Sequence, residues 1–519
     1  MKVLLVNPKF PESFWSFQWA VDNVFAGKKT ISPPLGLATL AALCPPTWDV
    51  EIVDENIEPV PTAPRADIVG VCGMAVQFER QRELLKYYKG KGHFVVAGGS
   101  YASLCPELYE AIADSVVAGE AEYIWREFCR DFEAGAPRPL YRETGEVSLA
   151  DSPVPRYDLL QLARYELASI QFSRGCPFRC EFCDIIVMFG RKPRTKSTEQ
   201  IGKELDLLRA MDVRSAFFVD DNLIGNKPLA KQLLEFLYEY QSKHDYWFDF
   251  GTEVSLNVAQ DDELLRLFRK ANFEWMFIGI ESPDEESLKE TLKFQNIRGD
   301  MLSSIQKIYG YGINVLAGFI IGFDHDTMET FGKQYRFIMQ SGIQAAMIGL
   351  LVAIPKTPLY ERLRLAGRLD DDRAASDNTK LATNVVPKQM SYDAMLDSYR
   401  LLYRTLVEDR QIADRIRNKL RHFSVPPDNS TDSLGQQLGI LLRLFVHGLA
   451  PGGVSRLFHF ARSLPLRRPS LIPVAIGDWV AGLTMRDYVD RHLVLKAEEV
   501  DRPVDASIET RGLPAPALN

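Results

Sequence analysis

The order of hydrophobic and polar positions divides the chain into three parts. In the first, short apolar runs alternate with amphipathic stretches. Lys2–Asn7 reads as a strand that Pro8 ends; Val50–Val53, Ile68–Cys72 and Phe94–Ala97 read as strands two to four, and Ser115–Ala118 as a short fifth. Helices fall between them. Pro33-Pro34-Leu35-Gly36 starts one that runs through Leu43, since proline suits a first helical turn. Arg80–Lys91, Glu107–Ala113 and Tyr123–Glu133 read as others. This alternation predicts a parallel sheet covered on both faces, a doubly wound, Rossmann-like α/β domain over residues 1–135. Ala136–Pro155 is rich in proline and charge, and residues 136–166 read as a linker.

The alternation resumes over residues 167–387. Strands are expected at Ala168–Phe172, Ser215–Val219, Trp247–Gly251, Trp275–Ile280, Asn314–Ile321 and Ala345–Val352. Helices are expected near Thr198–Met211, Pro228–Ser242, Asp261–Lys270, Gly299–Tyr311 and Thr327–Gln340. Such units predict a partial parallel (β/α)6 barrel, with its site at the carboxyl ends of the strands.

From Lys388 the pattern is helical, giving a C-terminal helical domain over 388–500. Ser391–Glu408, Gln411–His422, Leu434–Val446 and Val454–Leu464 are its helices, with a polar break at Pro426–Asp432. Arg456, Arg462, Arg467 and Arg468 alternate with Leu457, Phe458 and Phe460. A basic amphipathic helix of this kind suits a membrane surface. It equally suits a bundle packed on the barrel. The proline-rich residues 501–519 read as a disordered tail.

A chain of 519 residues has room for about three domains. Apolar content of 46% and charge of 25% allow sizeable cores. A net charge of -8 excludes an ordinary nucleic-acid-binding protein, which carries a basic excess. Of the seven cysteines, Cys44, Cys72, Cys105 and Cys129 are scattered, a pattern that fits small core residues in a reducing cytosol. Val3–Val6 is too short for a signal-peptide core, and no run approaches the ~20 apolar residues that cross a bilayer. A cytoplasmic protein is expected.

The other three cysteines lie together in Cys176-Pro177-Phe178-Arg179-Cys180-Glu181-Phe182-Cys183, spaced C-x3-C-x2-C after the first barrel strand. Thiolates suit iron–sulfur clusters or zinc. Closed sites of either kind take four protein ligands. Three thiolates on a four-iron cluster leave one iron open; a zinc loop is the alternative. This spacing, with Phe182 before the last cysteine, resembles the radical S-adenosylmethionine (SAM) enzymes. The resemblance implies a 4Fe-4S cluster on Cys176, Cys180 and Cys183, with SAM chelating the open iron.

Polar residues stand where the later strands end: Asp220-Asp221-Asn222, Glu253 and Glu281-Ser282. Carboxylates there suit the ammonium group and ribose hydroxyls of SAM. Helix caps are the alternative role for each, and Asp284 and Glu285 read as cap and first-turn charges. Gly318-Phe319-Ile320-Ile321-Gly322 is similar to the strand beside the adenine in that family. Pro355-Lys356-Thr357-Pro358-Leu359-Tyr360 resembles its P-G-T-P-L-Y turn, with Lys356 in place of glycine. The residues so implied for SAM are Phe182, Asp221, Asn222, Glu253, Glu281, Gly318, Pro355 and Thr357.

In a doubly wound domain, ligands sit beyond the carboxyl ends of the strands. Those ends carry Gly73, Gly98-Gly99-Ser100 and Gly119-Glu120, and glycine lets a large planar ligand approach the backbone. No G-x-G-x-x-G follows the first strand, which disfavours a dinucleotide. With Leu35 and Gly36 in Pro33–Leu37, the arrangement is similar to the cobalamin-binding domains fused ahead of many radical SAM enzymes. The D-x-H-x-x-G loop that supplies a histidine to cobalt is missing, and His93 reads as a surface residue. A scaffold domain without cofactor is the alternative.

Residues 1 to about 400 thus resemble the cobalamin-binding (class B) radical SAM methyltransferases, the branch that includes hopanoid and bacteriochlorophyll-type methylases. That implies methylation of an unactivated carbon of a hydrophobic substrate, a lipid such as a hopanoid or a tetrapyrrole. The family uses a 5′-deoxyadenosyl radical and methylcobalamin, with a reducing partner such as a flavodoxin or ferredoxin. Peripheral membrane contact is compatible with this. The rival readings are a cobalamin radical SAM enzyme that cyclises, rearranges or oxidises without methyl transfer, and a non-catalytic metal-binding sensor or scaffold.

Overall fold

The computed structural model describes residues 1–370, 380–424 and 434–493. Strands β1 (Lys2–Asn7), β2 (Asp49–Asp54), β3 (Ile68–Cys72), β4 (Phe94–Gly98), β5 (Ser115–Ala118) and β6 (Leu140–Arg142) form one sheet in the order β2-β1-β3-β4-β5-β6. All its pairs are parallel. Residues Val3–Val6 of β1 are buried on both sides. One face packs on the helices Leu35–Ala42 and Ala121–Glu133, the other on Phe78–Gly90 and Ser100–Leu104. This is the doubly wound domain expected.

Two local expectations change. The segment read as a connector supplies β6 as an edge strand. Tyr141 is buried between exposed neighbours, and Pro139, which has no amide proton to give, accepts from the Val116 amide through its carbonyl. Glu107–Ala113 is not a helix. The chain instead forms the short helix Ser100–Leu104 and a single turn at Pro106–Leu108, because the phenol of Tyr109 turns inward to Gln81 Oε1 at 2.8 Å.

The second unit begins with β7 (Ala168–Ile170). An antiparallel pair follows, β8 (Ser173–Arg174) with β9 (Arg194–Thr195). Then come β10 (Ser215–Phe218), β11 (Asp249–Glu253), β12 (Phe273–Glu281), β13 (Asn314–Ile321) and β14 (Ala346–Leu350). The sheet order β14-β13-β12-β11-β10-β7 is an open arc, parallel throughout, with helices outside. Strand β11 starts two residues later than expected. Trp247 lies ahead of it, anchored by its indole N–H to the Val213 carbonyl at 2.7 Å and covered by the Arg214 guanidinium.

The C-terminal helices are Tyr392–Leu406, Asp409–His422, Leu434–Arg443 (continued as a π-helical turn to Leu449), Gly453–Ser463 and Ile472–His492. The last has no counterpart in the sequence-based reading. Pro473, Gly477 and Gly482 weaken its periodicity, yet Trp479 is fully buried and Gly482 lets Ile412 pack against the helix. Lys419 and Asp478 form a buried ion pair of 2.6 Å across this packing. The proposed polar break at 426–432 and the tail at 501–519 lie outside the described residues. One expectation is overturned. Gln437–Ser463 is long and apolar enough to cross a membrane by length and composition, with a mean hydropathy of 1.4 over its best window. It is not one straight rod, because Gly453 takes a φ of 67° and breaks it.

The three parts interlock. The Tyr165 hydroxyl donates to Asp54 Oδ2 at 2.9 Å, and the Lys29 amide to the Arg164 carbonyl at 2.8 Å. Phe14, from the loop after β1, is buried between Tyr403 and Tyr488 of the C-terminal helices.

Candidate active site

The cysteine loop leaves β7 and is folded back by the β8–β9 pair. Gly175 makes this fold possible: its φ is 93°, and a Cβ there would lie 3.1 Å from the carbonyl oxygens of Gly190 and Lys192. Cys180 is buried, with Gln295 Nε2 at 3.4 Å from its sulfur; Asn222 Nδ2 lies 4.0 Å from that of Cys176. Among the described residues, no three Cys, His, Asp or Glu side chains converge on one metal ion. The loop is also clamped from outside. Arg362 grips Glu181 with two bonds of 3.0 and 2.6 Å and holds Asp324 at 2.7 Å.

The acids at the strand ends divide by role. Asp220 turns inward to the amides of Phe172 and Ser173, and Asp221 accepts from the Gly175 amide at 3.0 Å. Asn222 accepts from the Ser255 amide at 3.1 Å. These three fix the loop. Glu253 differs: its carboxyl has no hydrogen-bond partner among the described residues, and burial, then the charges of Asp221 and Asp220, push it up to about 8. Burial likewise pushes Asp221 up to about 6. Carboxyls crowded in this way favour an incoming cation, and the ammonium group of SAM is one.

Glu281 sits at a φ of 63° with its carboxylate on Lys293 Nζ at 2.5 Å, and that ammonium lies 5.8 Å from the centre of the Phe182 ring. Lys293, Gln295 and Asn296 therefore join the site. They come from the turn after the helix Glu285–Glu290, which Asp284 caps as expected. Gly318 leaves space that the Phe277 ring takes up, 3.1 Å from where a Cβ would stand. Pro355 and Thr357 shape a turn: the Thr357 hydroxyl caps the helix Pro358–Leu365 and donates to the Ile354 carbonyl at 2.7 Å. Lys356 adopts the glycine-like φ of 67° and reaches the first domain, bonding the Leu104 carbonyl and Glu107.

A cavity of about 310 Å³ lies between the carboxyl ends of the first sheet and the barrel. Leu35, Gly36, Gly98, Gly99, Ser100, Gly119 and Glu120 line it, facing Gln171, Arg174, Met188, Phe189 and Val219 of the second unit. A Cβ on Gly36 would meet no protein atom within 4 Å, and one on Gly98 only the Val117 carbonyl at 3.9 Å. Both would project into open space, so the floor is bare backbone, as a flat corrin needs. Gly73 is not in the lining. It packs under Gly99, whose φ of 102° would put a Cβ 2.3 Å from the Gly73 carbonyl oxygen. Glu120 is in the wall but committed, paired to Arg174 at 2.8 Å and Arg194 at 2.7 Å. His93 lies at the opposite end of β4, with Nδ1 3.1 Å from the Ala66 carbonyl, and no histidine is in the lining. Cys72, read as a core residue, is part of the cavity wall.

The Gly36→Ala variant is expected to keep or raise thermal stability, since alanine is the better helix former. Its methyl fills space proposed for the cofactor, and a cost of about 1–3 kcal/mol for overpacking corresponds to roughly five- to 150-fold weaker hydroxocobalamin binding. A titration followed by absorbance, beside a melting curve, measures both.

Comparison with known proteins agrees with this geometry. The B12 binding domain family matches residues 24–128, the Radical SAM superfamily 170–338, and a domain of unknown function, DUF4070, 357–494. The chain is 35% identical over 514 residues to the hopanoid C-2 methylase of Rhodopseudomonas palustris, covering 96% of this chain and 94% of the relative. It is 42% identical over 391 residues to an uncharacterized methyltransferase of Synechocystis sp., covering 75% and 73%. The fold is shared with the cobalamin-dependent SAM radical enzyme OxsB, at a TM-score of 0.59 and 16% identity over 96% of this chain and 82% of that one.

Fold and site together define a cobalamin-dependent radical SAM enzyme. Within that class, the chain belongs to the family of cobalamin-binding radical SAM methyltransferases. Its cofactors are a 4Fe-4S cluster, SAM and cobalamin. Neither a reaction without methyl transfer nor a non-catalytic role is favoured.

Proposed function

We propose that this enzyme methylates an unactivated carbon of a fused-ring hydrophobic lipid of the hopanoid kind. It works in the cytoplasm with peripheral contact to a membrane, and takes electrons from a flavodoxin- or ferredoxin-type donor. Cys176, Cys180 and Cys183 hold the cluster. Glu253 and the Glu281–Lys293 pair face SAM, and the glycine floor carries cobalamin. When bound, these cofactors supply hydrogen-atom abstraction and a transferable methyl group. The chain supplies position and a dry, apolar surface.

One observation carries the substrate reading. In a parallel barrel, paired residues share a face. The inward row Ser169, Phe217, Gly251, Trp275 and Asn314 has no charged side chain. Trp275 stacks on Phe217 at 5.1 Å, and only a glycine at 251 permits it: a Cβ there would lie 2.0 Å from the indole. In the next row Glu253, Phe277 and Leu316 pair in register, so the carboxyl stands at one edge of the wall, and Phe277 meets Trp15 at 4.8 Å. These inward aromatics remain partly exposed, forming a wall for a flat apolar ligand. Val219, two residues past Phe217 on the same side of the chain, lines the cobalamin cavity. A ligand on this wall therefore extends toward the methyl donor. The uncharged row suits a hydrocarbon ring system better than a tetrapyrrole carrying carboxylates.

The test is anaerobic reconstitution with cluster, cobalamin and methyl-labelled SAM, offered polycyclic triterpenoid lipids and tetrapyrroles in parallel. Label is expected in the lipid as a mass gain of one methyl group per turnover. Label in the tetrapyrrole alone, or a lipid product without added methyl, would overturn the reading.

A further inference from the structure

We propose that the enzyme docks on an anionic lipid bilayer through the outer face of its C-terminal helices, formed by Leu438, Leu442, Phe445, Val446, Val454 and Phe458. This deepens the peripheral contact proposed above and rests on it, but not on the identity of the substrate.

The first argument is exposure. Leu438, Leu442, Phe445 and Val446 recur at the spacing of a single helix face. Leu442 is 64% exposed, Val454 84% and Phe458 62%. The opposite face is already satisfied: Leu444 and Leu449 are buried, and Gly448 packs against Leu483 and Trp19. The helix is thus apolar on both sides, and only 17% of its most apolar window is buried. An ordinary bundle helix presents polar residues outward. Exposed apolar patches of this kind mark interaction surfaces.

The second argument is charge. Residues 434–477 contain no Asp or Glu but carry five arginines, in a chain whose net charge is -8. Arg456 and Arg462 turn inward, to Asp409 at 2.9 Å and Asp414 at 2.7 Å. The rest rim the face. At one end Arg467 and Arg468 adjoin Arg421 and His422, because Arg468 bonds the Leu420 and Phe423 carbonyls. At the other end Arg443 lines a polar cleft with Lys28, Lys29 and Arg164, where Asp22 is the one acid. An apolar strip between basic ends matches the interface of a bilayer with anionic headgroups. The break at Gly453 interrupts the run, so that neither Leu434–Arg443 with its continuation to Leu449 nor Gly453–Ser463 reaches the ~20 residues that span a bilayer. The geometry is therefore that of lying on a membrane.

The test is co-sedimentation of the full-length protein with vesicles of phosphatidylcholine alone and of phosphatidylcholine with phosphatidylglycerol. Binding to the anionic vesicles is expected, weakened by salt. Arg467→Glu should weaken it about fivefold or more. The double variant Leu442→Glu/Phe458→Glu should lose it at least tenfold, with an unchanged circular dichroism spectrum and unchanged SAM cleavage. Equal binding by the double variant, or no binding to either vesicle, would overturn the proposal. So would a concentration-dependent dimer that the double variant abolishes in the absence of vesicle binding, which would make the face a self-association surface. Methylation of detergent-dispersed lipid by the same variant separates loss of docking from failure of the proposed reaction.

Discussion

Cys180→Ala protein, prepared without oxygen, is expected to lack the brown colour of a cluster and to release no 5′-deoxyadenosine from SAM under reduction. Cys180 is the middle one of the three cysteines proposed to hold the cluster, buried and contacted by Gln295. Two thiolates cannot hold three irons, so the effect is all-or-none. The fold itself should survive. The loop is anchored independently by the Arg362–Glu181 clamp and by the bond from the Leu359 amide to the Glu181 carbonyl at 2.9 Å. Iron and sulfide analysis, an absorption spectrum and a nucleoside assay together measure the outcome. Deoxyadenosine formed at the normal rate would show that this loop is not the cluster site.

Arg174→Ala carries the second large effect, on stability and on cobalamin together. Arg174 is enclosed between Glu120 and Glu122 at 2.8 Å each, and so ties the first domain to the cluster loop. All three side chains are nearly out of solvent. Removing the cation leaves Glu122 buried without its ion-pair partner and Glu120 with Arg194 alone, and breaking a buried pair in this way typically costs about 3–5 kcal/mol. Denaturant unfolding should register it, with weaker hydroxocobalamin binding because Arg174 lines the cavity. The pH dependence follows from Glu122. Burial pushes its carboxyl up, but the Arg174 charge outweighs this and holds it below the usual range. A carboxylate so lowered stabilises the fold above its unfolded pKa of about 4.3, and that contribution is lost as pH falls through the lower folded value. The gap between wild type and variant should therefore be widest near neutrality and close in acid. An unchanged gap at acid pH would mean that the pair does not link the domains as described.

The parts of this protein that could be read from its sequence are those where local pattern and tertiary role coincide. Strands β12 and β13 are long apolar runs and sit where expected. The cysteine loop declares itself by spacing, and the glycines at the strand ends mark a cavity floor of bare backbone. What was hidden depends on distant partners. Strand β6 is three residues directly after Pro139 and exists only because β5 offers it an edge. The helix Ile472–His492 is interrupted by glycines, and the use of one of them, Gly482, in close approach to Ile412 appears only in three dimensions. Gln295 reaches Cys180, and Lys293 the ring of Phe182, from a turn more than a hundred residues away in the chain, with no motif to announce them. Lys356 looked like a damaged glycine turn; it is a strut whose far end is in another domain.

The barrel is an arc that does not close, and its open side is sealed from both ends of the polypeptide. Trp15 leans on Phe277 while Phe14 is gripped by Tyr403 and Tyr488. The room in which a reactive radical must be kept from water therefore belongs to no single module. Exchanging the front domain or the back helices with those of a relative would import a different door as well as a different handle, so selectivity and containment must change together in this lineage.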